Sequence, residues 1–361
     1  MMGPSGNDGD GPYPDLRSAF MLTIFAMLAA GFTGIAFIDF GLLAAVGIGQ
    51  AIGVGAVATM GAQRVAEPQA QRIGLRALDL KLVPTILCLA PAVLLVSELD
   101  NFAADWTGSP AAIEDSEHSA DQLSGDNRGL VDRYDTDNVD AEYDRPNNTD
   151  NTDIADGTSS ESGAAGGIAN ASDLRSRLID PDDPWSLLSA FVVMVGIAPV
   201  VEEFLFRGVI QQGLVARMGL LRGVTMVAIL WTLLRPAPIA GIPRFLAAAV
   251  ASFGLGWALG MVRIASGSIL GSIMLAASWA AIGLSAVALE GRVELPGMNI
   301  EGTHLPVTIT LASLFIVGWA GLEIFREAER RFNSADGGVG GPGRPTGRSR
   351  TSIKALFGGD E

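Results

Sequence analysis

Glu202, Glu203 and Arg207 interrupt an apolar run, Ala198-Pro-Val-Val-Glu-Glu-Phe-Leu-Phe-Arg-Gly208. Two adjacent carboxylates in such a setting can do two kinds of work. A glutamate can act as a general base toward water, since burial raises its pKa toward the working range. Carboxylates can also be the anionic halves of buried ion pairs. Each charge costs roughly 2.5–3.5 kcal/mol at bilayer depth on insertion scales. A fourth charge, Arg235, ends the next apolar run, Ile229-Leu-Trp-Thr-Leu-Leu-Arg235. Two Glu with two Arg sum to zero, which is how membranes tolerate charge at depth. If Arg235 pairs with a glutamate, its removal should strand a buried carboxylate and lower stability.

The elements that carry these residues read as membrane spans. The 361 residues are 49% hydrophobic yet carry a net charge of −15. The conflict resolves by segregation, because the apolar residues form long runs and the acids collect in one insert. The fold class is therefore all-α, a polytopic transmembrane helix bundle of about eight spans. The spans fall at 19–38, 42–61, 82–96, 185–216, 223–235, 245–262, 268–289 and 305–325, the third and fifth being short. The domain plan is a tail over 1–18, a three-span region over 19–97, an acidic insert over 98–183, a membrane core over 184–325 and an Arg-rich tail over 326–361. The first span reads as retained, with no cleavage site after it. The insert is too poor in aliphatic residues to offset its ordering entropy, so disorder is expected there. Asn147-Asn-Thr149 and Asn170-Ala-Ser172 fit the glycosylation pattern.

Glu202 and Arg235 each lie about 13–14 residues, or roughly 20 Å, from the same end of their spans. They can therefore face one cavity. Arginines mark that end: Arg64, Arg72, Arg76 and Lys81, then Arg217, Arg222 and Arg263, then the C-terminal tail. Positive residues mark the cytoplasm. The expected location is the cell membrane, multi-pass, with both termini cytoplasmic and the acidic insert outside; Arg244 is the exception. Glycines 47, 49, 53 and 55, and 254, 256 and 260, suit close helix crossing within the bundle.

The Glu-Glu-x-x-x-Arg run, preceded by Ala198-Pro199, resembles the first motif of the CPBP family of membrane proteins. That family contains the CAAX prenyl endopeptidases and bacteriocin-processing or immunity proteins. The resemblance covers roughly 184–289. It implies a glutamate-dependent intramembrane endopeptidase in which Glu202 activates a water, with Glu203, Arg207 and Arg235 as further site residues. The later family motifs, Phe-x-x-x-His and His-x-x-x-Asn, depart here. Trp231 stands for Phe, Arg235 for His, Ala276 for His and Ala280 for Asn. Losing one oxyanion donor costs about 10²–10³ in rate. The departures leave three readings open: an endopeptidase, a non-catalytic scaffold or partner-binding homologue, and an ion or proton transporter using the Glu/Arg cluster.

The remaining features narrow the partners. A strongly acidic chain repels phosphate, so no nucleic-acid partner is expected. Membrane lipid is expected, and with it a membrane-embedded or lipidated peptide or protein substrate. His118 and His304 are the only histidines and Cys88 the only cysteine. No metal site and no cofactor is expected. Only Lys81 and Lys354 are lysines among 24 basic residues, which gives a halophile-like composition. Trp231, Trp257 and Trp279 read as packing or cavity-wall residues, Pro199 as a residue that opens its helix, and His304 as interfacial.

Overall fold

The computed structural model describes residues 12–107, 179–235, 242–300 and 303–337. Most of the acidic insert, with His118 and both glycosylation triplets, lies outside the described residues, as does the tail from 338. Eight apolar helices run through the described residues. They are α1 (Leu16–Ala36), α2 (Leu42–Gln63), α3 (Leu80–Trp106), α4 (Pro184–Met218), α5 (Leu220–Leu233), α6 (Ile242–Ser266), α7 (Ile269–Ala288) and α8 (Val307–Ser334). All but α5 are long and apolar enough to cross a membrane. No β-strand occurs among the described residues, and the chain is an all-α, multi-pass membrane protein. α5 has 14 residues. At 1.5 Å per residue it reaches only about 21 Å, short of a hydrocarbon core of about 30 Å. Its C-terminal end therefore stops within the depth of its neighbours.

The third span differs from the sequence reading. It breaks into turns at 88–91, where Pro91 has no N–H to donate, and resumes as Ala92–Thr107. The helix thus runs on past residue 96 through Ser97-Glu-Leu-Asp-Asn-Phe, which reads as loop by composition. Tertiary contacts hold it. The Ser97 hydroxyl and the Asn101 amide both donate to the Gly297 carbonyl, at 2.6 and 3.1 Å.

The sequence dictates an inside-out arrangement of apolar residues. Phe25, Phe32, Ile35, Leu233, Leu311 and Phe315 are exposed, as a lipid-facing surface requires. The buried core joins α4, α5 and α6 through Leu205, Phe206, Ile210, Val224, Leu259 and Val262. α6 packs against α3, α5, α7 and α8 and is the central helix. Glycines bring the helices close. A Cβ on Gly53 would lie 2.5 Å from the Ala30 nitrogen, and one on Gly49 2.6 Å from the Ala30 oxygen. Gly256 meets the Trp231 ring in the same way. Gly254 faces open space, so the small residues of α6 serve the bundle on one face only.

The two ends of the bundle differ in charge. At one end Arg263 donates to the Arg72 carbonyl at 3.1 Å, Arg331 to the Ser266 carbonyl at 2.8 Å, and Arg217 to the Pro12 carbonyl at 2.7 Å. At the other end His304 bridges Glu98 and Asp105, each at 2.8 Å, and Arg292 meets Asp182 at 3.0 Å. Arg244, near Asp100 at 3.6 Å, lies at this acidic end.

Candidate functional site

α4 carries both glutamates on an irregular stretch. The short α-helical turn Ala198–Glu203 sits between two wider π-helical segments, Phe191–Ile197 and Phe204–Ile210. Pro199 opens that turn and offers no N–H to the preceding residues. Such local widening recurs at functional sites because it redirects side chains.

Adjacent positions on a helix point about 100° apart, and here the two carboxylates enter different surroundings. Glu203 is 1% exposed and meets the fully buried Arg207 at 2.9 Å, one helical turn on. Arg207 also donates to the Gly256 carbonyl on α6, at 3.0 Å. One turn further, Gln211 donates to the Gly260 carbonyl at 2.8 Å. A Cβ at Gly260 would lie 3.4 Å from the Gln211 amide oxygen, so glycine there leaves room for the Gln211 contact. This row, Glu203–Arg207–Gln211, ties α4 to α6 in the dry interior.

Glu202 faces the other way, into a cavity of about 170 Å³. Its Oε2 accepts from Arg235 at 2.7 Å and from the Trp231 indole N–H at 3.3 Å. The Glu202 side chain is 18% exposed and that of Arg235 42%. Arg235 reaches it because α5 ends at Leu233, freeing the next residues from the helix. The Trp231 ring lies between two cations, Arg235 at 4.1 Å and Arg207 at 5.1 Å from the ring centroid. An aromatic face attracts both guanidinium groups electrostatically. Trp231 thereby connects the buried pair to the cavity pair.

All four charged residues singled out in the sequence thus come together, as two pairs. The pairing of each Glu with its own Arg depends on helix rotation, which sequence spacing does not specify. Ala276 packs against the apolar core and is not among the residues lining the cavity. Trp257 stacks near Phe325 at 6.3 Å, and Trp279 donates to the Leu89 carbonyl at 3.0 Å, so both serve packing. Half-buried Cys88 packs on the core as well.

One cavity residue escaped the sequence reading. Gln50, from the π-helical turn Gly49–Val54 of α2, lines the cavity together with Ala26, Met27 and Ala30 of α1. The one available signal was an amide in the middle of an apolar span. The N-terminal helices are therefore part of the site and not only an addition to it. Among the described residues no cluster of His, Cys, Asp or Glu has the makings of a metal site.

Comparison with known proteins supplies one match. Residues 184–282 fit the family model described as type II CAAX prenyl endopeptidase Rce1-like. The match covers both glutamates, both arginines and most of α7. No curated protein and no solved structure matches the chain.

Proposed function

Starting from a chain whose residues 184–282 belong to the CPBP family of CAAX-protease-like membrane proteins, we propose that it is a non-hydrolytic member that binds a membrane-embedded peptide or protein segment at the Glu202 cavity. The observation that carries this reading is the Glu202–Arg235 pair at 2.7 Å. The Glu202 Oε2 is already engaged by Arg235 and by the Trp231 indole N–H, so that oxygen is not free to receive a proton from an attacking water. Where the family motif supplies imidazole, this chain supplies a fixed cation. Where it supplies the later His and Asn, Ala276 and Ala280 offer no side-chain donor. An ion or proton relay gains less support, since the four charges close into two pairs.

What remains is a polar floor in an apolar recess, suited to holding a polar group of a partner within the membrane. The expected orientation sets the arginine end in the cytoplasm and the acidic end outside, in the cell membrane. The decisive experiment is turnover of the purified protein against a membrane-peptide library. The expected result is binding without cleavage. One observation favours the hydrolytic reading: Glu202 still opens onto a cavity, with Arg235 placed to meet an oxyanion. Turnover that disappears in Glu202→Gln would establish that reading in place of ours.

A further inference from the structure

Gln50 is a polar residue in an apolar span, and one end of its side-chain amide has no partner. Its Oε1 is shielded from solvent and accepts no hydrogen bond. Leaving a buried acceptor unpaired is costly, and native structures rarely do so without reason. Which amide atom is oxygen and which nitrogen is an assignment, but either way one buried end lacks a partner.

The placement of Gln50 is built into the packing. Gly49 and Gly53 press against the Ala30 backbone of α1, so the α2 turn between them cannot rotate away. The turn packs on the Ala198–Glu203 segment of α4. These contacts leave Gln50 on the cavity wall with Glu202, Trp231 and Arg235.

A carboxamide carries one acceptor and one donor group side by side. That pattern matches a peptide group, which offers an N–H and a C=O. It does not match a residue inside a helix, whose backbone groups are already paired with each other. We propose that Gln50 is the residue by which this cavity holds its partner, its side-chain amide turning out of its unpaired position to hydrogen-bond one backbone amide of an extended, unwound segment. The inference rests on the peptide-binding reading above and adds the conformation of what is bound. Glu202 and Arg235 stay paired with each other, and Gln50 supplies the free hydrogen-bonding capacity.

The test uses the full chain in detergent and the tightest fluorescent binder from the membrane-peptide library. That peptide is compared with analogues N-methylated at one residue at a time, with affinity read by anisotropy. Gln50→Leu should weaken binding of the unmethylated peptide by at least about tenfold, the scale of one well-made hydrogen bond in a dry site. Methylation at one position should weaken the parent by a similar factor and leave the residual affinity of Gln50→Leu unchanged. The melting temperature of Gln50→Leu should equal or exceed that of the parent, because an unpaired buried acceptor is removed; a structural role would lower it. Equal affinity of parent and Gln50→Leu, or equal methylation losses in both, would overturn the assignment while leaving the peptide-binding reading in place. A parent that binds no peptide in the library would overturn both.

Discussion

Removing Arg207 strands the Glu203 carboxylate at 1% exposure, whereas removing Arg235 leaves Glu202 beside a cavity. The two pairs look alike in sequence and differ in what surrounds them. Breaking a fully buried pair by deleting one partner typically costs about 3–5 kcal/mol. An exposed pair contributes about 0–1 kcal/mol. Arg207→Met is therefore expected to lower stability in detergent by the larger amount, and Glu203→Gln in the same chain to restore part of it. Arg235→Ala is expected to change stability by no more than about 1 kcal/mol. This reverses the expectation from sequence, which set the stability cost at Arg235. Thermal melting of the four proteins decides the matter, and a melting temperature for Arg207→Met equal to the parent's would refute the role of the buried row. The charge types and their depth were legible in the sequence, because an apolar run makes every ionic residue conspicuous. Their partition was not, because a rotation of α4 by one position would exchange the two glutamates.

At the scale of elements, long-range contacts decide what composition cannot. The stretch of the helix over 97–107 carries Glu98, Asp100, Asn101 and Asp105 and reads as a loop, yet it folds as helix because Glu98, Asn101 and Asp105 find partners about two hundred residues away. Glu98 accepts from the Leu305 N–H at 2.9 Å and meets His304, whose ring also contacts Phe102 at 4.7 Å between centroids. His304 lies in the loop before α8, and the hydrogen bonds its ring donates to Asp105 and then to Glu98 hold its pKa above the usual 6.5. A group whose folded pKa is raised stabilises the fold fully below its unfolded pKa and loses that contribution as pH rises through the folded value. The tie between α3 and α8 should thus hold at pH 5.5 and slacken at alkaline pH. Hydrogen exchange of residues 92–107, corrected for intrinsic rate, should show more protection at pH 5.5 than at pH 8.5. His304→Gln should remove the difference; a difference that persists in this variant would assign it to another group. Gln50 belongs to the same lesson. Its span was evident from hydropathy, but its facing residue was set by Gly49 and Gly53 closing on Ala30.

For the whole molecule, apolar run length was enough to read the bundle, since a helix crossing a membrane must be long and apolar whatever its neighbours. It counted the short fifth run, 223–235, as a span and stopped the third at 96; α5 ends at Leu233 after 14 residues and by stopping releases Arg235 toward Glu202. The charge asymmetry of the ends was likewise legible, and the fold gathers it into two faces. The arginine face is stitched by guanidinium-to-carbonyl bonds, as at Arg263, Arg331 and Arg217. Such bonds do not themselves neutralise charge, although Arg331 is also paired with Glu327 at 2.8 Å, and this face is the one expected in the cytoplasm. Cysteine accessibility tests the orientation directly. In a Cys88→Ser background, Asp182→Cys at the acidic end should react with a membrane-impermeant maleimide on sealed cells, since the Asp182 side chain is 86% exposed. Ser334→Cys, at the far end of α8, should react only after permeabilisation. The opposite pattern would invert the protein in the membrane. It would also move the open end of α5, and with it the approach to Glu202, from the outer to the cytoplasmic half of the bilayer.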